Sequence, residues 1–448
     1  MKKSEESPPA RRRWYRRPLR IFLASLAACA LLVGVCIALA VQEVRREQEA
    51  VAVIESVGGH VHYDCMYVGP EWLKDFMERV EGVDVREMDD ATVVALESLP
   101  RLKELSLPMS RVTDAGLKTL AKLRLLEELD LSDSSIDSAG LDAIAKLKHL
   151  RHLYLGSTKI DNAALVKLKE LKKLETLWIA HTMVTGSGLA PLKELPRLRW
   201  LDLSGTALMY AEQSESEPPQ FLADTVGDML GKQSPGIPAQ TGVITALQTT
   251  DAGVRLLGSL HQLQVLDVSA TNFNDAAMRH LGSLRQIQRL NLGSNSGISD
   301  AGLVWLKDLC QLQQLSLMGA QISGSGLVHL RALRQLTSLN LFRTNVEGPG
   351  LEALDQVISL DLAETQVDDA GLEHLQGLTQ LRLLELTGSK VTDAGVKMLQ
   401  KALPDCEIRC LREQRVGSEI QANGAAPVRF GIVGDAATKQ RRHALLEW

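Results

Sequence analysis

The apolar positions of this chain repeat at a nearly fixed interval over most of its length. Eleven leucines each open an apolar–polar–apolar triplet: Leu105, Leu129, Leu153, Leu177, Leu201, Leu266, Leu290, Leu315, Leu339, Leu360 and Leu384. Seven of the ten steps between them are 24 residues long, and the others are 25, 21 and 65. A fixed period in this range is typical of a solenoid. A solenoid offers a long surface for holding a partner rather than one deep pocket for chemistry.

Each repeat predicts a short strand followed by a short helix. In residues 101–123 the first half alternates apolar and polar positions, as a half-buried strand does. The second half places Leu117, Leu120 and Leu123 on one side of a helix. The position that starts this helix holds a side chain suited to capping its free N–H groups, except at Glu347. These capping positions are Thr113, Asp137, Asp161, Thr185, Thr250, Asn274, Ser299, Ser323, Asp368 and Thr392.

Two further columns follow the cap. The residue after the cap is often an aspartate, whose negative charge interacts favourably with the positive end of the helix dipole. These aspartates are Asp114, Asp251, Asp275, Asp300, Asp369 and Asp393. Two residues later most repeats have a glycine, although glycine costs about 1 kcal/mol inside a helix. Ala164 and Ala277 replace it, so the column requires a small residue rather than a positive φ. We therefore predict tight packing between neighbouring repeats.

The combined columns resemble the leucine-rich repeat family, whose pattern is L-x-x-L-x-L-x-x-N/C-x-L. The resemblance covers about residues 80–410 and implies an α/β solenoid, a horseshoe with a concave parallel sheet and short convex helices. Its helix-containing repeats look like the ribonuclease-inhibitor-like subtype, and T-D-A-G-L looks like bacterial repeats. One column departs from the family pattern, because short hydroxyl side chains mostly replace asparagine there. It reads Ser110, Ser134, Thr158, Thr182, Thr206, Thr271, Asn295, Ala320, Thr344, Thr365 and Ser389.

The flanks extend the repeats in weaker form. Residues 83–85 read as a degenerate first strand and residues 406–408 as a last one. Residues 42–79 then form an N-terminal cap, with a helix over 47–57 and a strand over 60–63. Residues 411–448 form a tail without repeats. The long step contains an insertion, residues 209–248, which is either a tolerated loop or part of a binding surface.

The N-terminal part predicts a membrane anchor. Residues 21–41 are almost wholly apolar and span about 31 Å as a helix, enough to cross a bilayer. The preceding arm, residues 1–20, carries eight basic and two acidic side chains, a net +6; the whole chain carries −5, so the rest carries −11. By the positive-inside rule this is a single-pass membrane protein with a cytoplasmic N-terminus and extracytoplasmic repeats.

Two alternatives to an uncleaved anchor remain open. Residues 38–40 read as a signal-peptidase site. Residues 26–29 resemble a lipobox that ends in Cys29. Both alternatives also place the repeats outside the cytoplasm. The basic arm stands beside a predicted membrane span, so it indicates topology and contact with anionic lipids, and no nucleic-acid partner is predicted.

The predicted concave face contains one aromatic cluster in a chain with only 4% aromatic residues. Equivalent positions on adjacent strands lie about 4.8 Å apart, so sequence columns become rows on the surface. The candidate ligand-binding residues are Tyr154, Trp178, Trp200, His152, His181, Asp130 and Asp202. They predict a protein or glycan ligand, because tyrosine and tryptophan dominate binding hot spots. The alternatives are rings that only stiffen the sheet and acids that only keep it soluble.

Candidate chemistry adds little to this reading. The six cysteines show no disulfide framework, and no nucleophile–base set, phosphate loop or metal-binding spacing occurs. We therefore predict no catalytic residue, metal or cofactor, and a non-catalytic binding protein of the cell envelope. The alternatives are an envelope spacer without a discrete ligand and, less favoured, an enzyme whose site includes the 209–248 insertion.

Overall fold

One continuous sheet of 14 strands runs through the protein in chain order. The computed structural model describes residues 16–63, 79–86, 88–206 and 251–410, with only the backbone for residues 16–25, 27–28 and 251–252. The strands are β1 His60–Tyr63, β2 Val80–Asp84, β3 Glu104–Ser106, β4 Glu128–Asp130, β5 His152–Tyr154, β6 Thr176–Trp178, β7 Trp200–Asp202, β8 Val265–Asp267, β9 Arg289–Asn291, β10 Gln314–Ser316, β11 Ser338–Asn340, β12 Ser359–Asp361, β13 Leu383–Glu385 and β14 Glu407–Arg409. Strand β1 pairs antiparallel with β2, and all later pairs are parallel.

The return segments between strands are helical, but only some are α-helices. The α-helices are α1 Arg16–Ser56, α2 Asp114–Leu120, α3 Leu141–Ile144, α4 Asn162–Leu168, α5 Asp251–Gly258, α6 Asp275–Met278 and α7 Asp393–Ala402. The 3-10 helices are Val93–Ser98, Gly186–Glu194, Leu281–Ser283, Asp300–Leu306, Ser325–Ala332, Leu351–Ala353 and Gly371–Leu375. The prediction of a strand and a short helix per repeat is thus confirmed. Short returns favour the tighter 3-10 winding, and Pro191 lies inside one of them.

The core is a column of leucines between the sheet and the helical returns. Leu129, Leu153 and Leu177 occupy the same register position on β4, β5 and β6 and are fully buried. Each such side chain contributes roughly 1.5–3 kcal/mol through burial. Since every repeat buries its leucines against the next, stability depends on the contacts between neighbours.

The aspartate that follows the cap links one repeat to the next. Asp275 accepts hydrogen bonds from the backbone N–H of Ser299 (2.8 Å) and from its hydroxyl (2.5 Å). Asp369 binds Thr392 in the same way. We predicted that this residue serves its own helix dipole; the structure adds the larger role of holding the helix start of the following repeat. The aspartate is therefore an inter-repeat clamp.

At several repeats the glycine column makes room for this clamp, whereas at Gly253 and Gly371 it makes room for the backbone of the preceding repeat. A Cβ atom at Gly302 would overlap the Asp275 carboxylate, and one at Gly395 would overlap that of Asp369. Neither glycine has a positive φ. The predicted close packing between repeats is confirmed, and at these two positions the neighbouring carboxylate is what requires the small residue.

The hydroxyl column closes the turn within most repeats, although the buried Ser110 hydroxyl has no partner among the described residues and Ala320 has no hydroxyl. Thr158 donates to the Leu155 carbonyl at 2.6 Å, and Thr344 donates to Leu341 at 2.7 Å. Ser389 at the end of the array does the same. As predicted, a hydroxyl can take over the turn bond of the family's asparagine. It does not reach the neighbouring turn, however.

Asn295 reaches both turns. Its fully buried amide donates to the carbonyls of Leu292 and Val268, both at 2.9 Å, and its oxygen accepts from the N–H of Thr271 and Phe273. This residue lies in the one 25-residue step, where the chain has an additional residue to accommodate. The amide thus ties the longer repeat to the one before it.

Side-chain caps form at several of the predicted helix starts. Thr113, Asp161 and Asn274 each accept a hydrogen bond from a first-turn N–H. Thr185 makes no such cap; it bonds instead with Asn162 of the previous repeat. Thr250 lies outside the described residues.

The N-terminal cap is one helix and one strand packed on the end of the stack. In α1, Val44, Ala50 and Ile54 are buried against the first repeat. Glu47 forms a 2.8 Å ion pair with Arg79 and accepts the N–H of Val80 at 2.9 Å. The predicted strand over residues 60–63 is confirmed. The first and last repeat strands lie at 80–84 and 407–409, slightly displaced from the predicted 83–85 and 406–408.

The predicted membrane span, residues 21–41, lies within α1, which continues without a break into the cap. Within the described part of the chain, none of the helices meets the combined length and hydropathy that crossing a bilayer requires. The membrane anchor therefore stays a prediction.

The 65-residue step from Leu201 to Leu266 lies within a single repeat, between its strand β7 and its helix α5. After β7 the description stops at residue 206 and resumes with α5, which packs against the 3-10 helix Gly186–Glu194. Strand β8 then pairs with β7 in the usual register. The solenoid thus continues across the step. The predicted insertion 209–248, the arm before residue 16 and the tail 411–448 lie outside the described residues.

Candidate functional site

The candidate residues lie on one face of strands β4 to β9 and in the turn after β6, and this face is here called the strand face. Along its central row, Tyr154, Trp178, Asp202, Asp267 and Asn291 occupy matching positions on successive strands. A second row, two residues earlier in each strand, runs from His152 through Thr176 and Trp200. The structure therefore brings together residues up to 137 apart in sequence, from Tyr154 to Asn291.

Tyr154 and Trp178 form an edge-to-face aromatic pair. Their ring centroids are 5.9 Å apart and the planes meet at 84°. Such pairs contribute about 0.5–1.5 kcal/mol beyond area burial. The indole leans over Gly156, where a Cβ atom would lie 3.4 Å from Nε1. This nitrogen is buried without a hydrogen-bond partner among the described residues. The glycine thus makes room for the ring.

Trp200 belongs to a different part of the surface. It stands on the second row, in register with Thr176, and lines a shallow pocket with Asp202, Asp267 and Asn291. The room for water-sized molecules in this pocket is about 30 Å³. That volume accommodates one or two waters. The three predicted rings therefore do not form one stack: Tyr154 and Trp178 pair with each other, and Trp200 lines the pocket.

The acidic side chains of the central row are mostly engaged with their own backbone. In Asp130 and Asp202 a carboxylate oxygen accepts the N–H two residues later, at 2.9 and 2.8 Å. Asp361 and Glu385 do the same further along. Asp130 is 1% exposed and Asp202 5% exposed. The expectation that these acids face solvent is wrong, because the bulky neighbours on the row and the turn amide draw the carboxylates inward.

Asp202 and Asp267 form a buried pair of carboxyl groups. Burial and the neighbouring charge of Asp267 raise the pKa of Asp202 to about 8. Burial also raises the pKa of Asp267, whereas hydrogen bonds from Ser269 and Asn291 and the charge of His181 act in the opposite direction. Asn291 donates to Asp267 at 2.7 Å. Near neutral pH the pair therefore holds a proton.

The two predicted histidines have different surroundings. The ring of His152 is 3.0 Å from the Thr176 hydroxyl on the next strand. His181 lies in the turn after β6, has a φ of 54°, and stacks over Gly205 of the following repeat. It is close enough to Asp267 to lower the pKa of that carboxyl. Only His181 therefore joins the carboxyl pair.

Sequence reasoning missed Asp267 and Asn291 as site residues. The leucine column places both in the central row directly after Asp202, in spite of the 65-residue step, and the strand pairing confirms this position. Neither was selected, because sequence analysis chose the aromatic cluster and the acids beside it. Among the described residues no group of three histidines, cysteines or acids is placed to hold a metal ion. All five cysteines described are free thiols.

Known families match two parts of the solenoid. A family model described as leucine rich repeat matches residues 100–160, and a second of the same description matches residues 332–354. These two segments of the chain are therefore similar to leucine-rich repeats. Both matched segments contain the turn column described above, for example Thr158 in the first and Thr344 in the second.

Solved structures of leucine-rich-repeat proteins are similar to this chain in fold. An internalin from Listeria monocytogenes matches with a TM-score of 0.50 and 21% identity, over 73% of this chain and 86% of the internalin. A leucine-rich-repeat protein from Leptospira interrogans matches with a TM-score of 0.49 and 18% identity, over 70% and 74% of the two chains. At these identities the likeness concerns the fold alone. No curated protein sequence matches the chain.

Proposed function

We propose that this leucine-rich-repeat protein is a non-catalytic binding protein that holds a protein partner on its strand face. The observation that carries the proposal is the concentration of Tyr154, Trp178 and Trp200 on three consecutive strands of that face. Leucine-rich-repeat proteins generally mediate protein binding. Aromatic residues on a rigid repeat scaffold supply large contact areas with little loss of conformational freedom.

The contacts of the three rings favour binding over a purely stiffening role. Tyr154 and Trp178 remain half-buried although they pack on each other, and Trp200 is half-buried at its pocket. The unpartnered indole N–H of Trp178 and the pocket beside Trp200 are features that sheet stiffening does not require. A glycan ligand would use the same aromatic faces and is the alternative ligand class.

Alanine at Trp178 and Trp200 together is expected to weaken partner binding at least 30-fold, because hot-spot truncations cost about 2 kcal/mol or more. A photo-crosslinking residue at position 154 in intact cells, followed by mass spectrometry, first identifies the partner. Titration calorimetry with the purified partner then compares the variants.

The matched control is Met318→Ala combined with Phe342→Ala, which removes two large side chains from another stretch of the same face. We expect this control to bind within threefold of the original protein. Equal loss in both double variants would contradict a site at Trp178 and Trp200 and would indicate a general effect on the solenoid.

Membrane anchoring through residues 21–41 is part of the proposal. In its support, the consecutive side chains Leu31, Leu32 and Val33 are 58–70% exposed, so the helix is apolar all round instead of on one stripe. A stretch of this kind is unfavourable in water and suits a lipid environment. Together with the basic arm, it supports a cytoplasmic N-terminus and extracytoplasmic repeats.

We expect protease added to intact spheroplasts to digest the repeats while a tag before residue 16 stays protected. Replacing Leu32 and Ile37 by arginine should release the protein from the membrane fraction, since each charge at mid-bilayer costs about 2.5–3.5 kcal/mol. The control exchanges Glu43 and Glu49 for arginine outside the apolar stretch. Repeats that stay protected in spheroplasts would refute the outside location.

A second candidate function, acid–base catalysis, rests on one observation. His181, Asp202 and Asp267 come together beside the point where the insertion leaves the solenoid. The pocket at this place admits only one or two water molecules, which is too little for a substrate. Binding therefore remains the better-supported function. If the protein hydrolysed model glycosides or esters and Asp202→Asn lost this activity, catalysis would be better supported than binding.

A further inference from the structure

The junction between β7 and β8 differs from every other junction of the described solenoid. Its strands are separated by the 65-residue step, whereas the other parallel repeat strands follow one another after 21–25 residues. In a repeat array each junction depends on its own nearest-neighbour contacts. At the β7–β8 junction the N–H of Leu203 donates to the carbonyl of Asp267, and the N–H of Gly205 donates to the carbonyl of Ser269, both at 2.9 Å. The junction also brings two carboxyl side chains into direct register, Asp202 and Asp267.

The two carboxyl groups are fixed side by side. Each has one oxygen held by the N–H two residues later, at 2.8 Å, so neither can swing away without breaking a turn bond. Asp267 is further held by Asn291 from β9. Two ionised carboxylates in this register repel each other, whereas protonation of one of them removes the repulsion.

We propose that Asp202 and Asp267 make the β7–β8 junction a pH-sensitive seam, closed while one of the two groups is protonated and loosened when both groups ionise. The described groups that face the pair are His181 from the turn after β6, Trp200 from β7, and Arg289 and Asn291 from β9. The positive charges of this set reduce the repulsion, but the burial of both acids opposes ionisation. The inference goes beyond the proposed function and does not depend on any ligand.

The direction of the pH effect follows from the raised pKa of Asp202. Its ordinary value is 3.8 and its folded value is about 8. The folded seam therefore holds a proton that the opened seam releases between these values. Stability of the seam is highest at low pH, falls as the pH rises from about 4, and has lost the full contribution above about 8. This trend is opposite to the acid sensitivity of carboxylates that are ion-paired.

Hydrogen exchange of the full chain in detergent measures the seam directly. We expect the protection of Leu203 and Gly205, corrected for intrinsic exchange, to fall at least tenfold from pH 6 to pH 9. The internal reference is the matching pair of amides at the β10–β11 junction, Leu317 and Gly319, where the paired central-row residues Ser316 and Asn340 carry no charge. Their protection should change less than threefold.

Asp202→Asn keeps the bond to the Ser204 N–H and removes the ionisation. In this variant we expect the β7–β8 amides to keep the same protection at pH 6 and pH 9. Asp267→Asn is the second variant with the same expectation, should the first fail to fold. Asp361→Asn is the control, because Asp361 also stands in register with an acid, Glu385, but lies on β12, away from the β7–β8 junction.

The control should leave the pH response of the β7–β8 seam unchanged. An equal fall in protection at both junctions of the original protein would overturn the inference. So would a pH response that persists in Asp202→Asn and Asp267→Asn.

Discussion

Replacing Asn295 by alanine is expected to lower the free energy of unfolding by about 4 kcal/mol. The amide is fully buried and bonds to carbonyl and N–H groups of two successive turns. Its loss leaves several buried backbone groups without partners, and each costs about 1–3 kcal/mol. Water entering the space recovers part of this cost. Urea unfolding followed by circular dichroism measures the change.

Asn295→Thr is the matched variant, since threonine is what most other repeats have at this position. We expect it to restore the bond to the Leu292 carbonyl and to lose only the bridge to the preceding turn. Asn295→Thr should therefore lower the free energy of unfolding about half as much as Asn295→Ala. Thr344→Val, which removes one turn bond and keeps the shape, should cost about 1 kcal/mol. If Asn295→Ala lowered the free energy of unfolding no more than Thr344→Val, the hydrogen bonds from Asn295 to the preceding turn would contribute nothing to stability.

Gly302→Ala is expected to cost about 2–3 kcal/mol, although alanine is the better helix former by about 1 kcal/mol. The new methyl group overlaps the Asp275 carboxylate, which must then release the N–H and hydroxyl of Ser299. Gly377→Ala is the control, because a Cβ atom there meets nothing within 4 Å. We expect the control to change stability by less than 0.5 kcal/mol.

A double-mutant cycle tests the cause of this loss. If the carboxylate is the obstacle, Asp275→Ala combined with Gly302→Ala should be no less stable than Asp275→Ala alone. The glycine substitution is then free of its clash and gains helix propensity. Additive losses in the double variant would instead point to strain in the backbone at position 302.

The fold follows from the sequence because its determinants recur. Ten leucine-to-leucine steps, nearly all of one length, place strand, turn and helix in each repeat, and Leu153 or Leu177 needs no distant information to be assigned to the core. The type of helix was less predictable, because α and 3-10 windings of a few residues differ little in energy. The role of Asp275 was missed for another reason: its partner, Ser299, lies in the next repeat, so the helix that contains Asp275 does not reveal it.

The candidate site was predictable in position and less so in character. The column rule correctly placed Tyr154 beside Trp178. It did not indicate that Asp130 and Asp202 would be buried, because burial depends on how neighbouring side chains lean and on the bond to the turn amide. The same rule places Asp202 beside Asp267 across the insertion, but it does not show that burial raises the pKa of Asp202. A raised pKa of this kind depends on which groups surround the carboxyl in three dimensions, and the repeat pattern alone does not give those surroundings.

The clamp between Asp275 and Ser299 has a consequence for how such a chain can change length. The unit that begins at Ser299 and Asp300 donates to Asp275 in the unit before it and accepts from Ser323 in the unit after it, so a copy beside the original can repeat contacts of the same kind. In-frame gain or loss of about 72 nucleotides is therefore the least disruptive genetic change available to this protein. Its reach can grow or shrink in steps of one strand spacing, about 4.8 Å, while every existing joint keeps its chemistry.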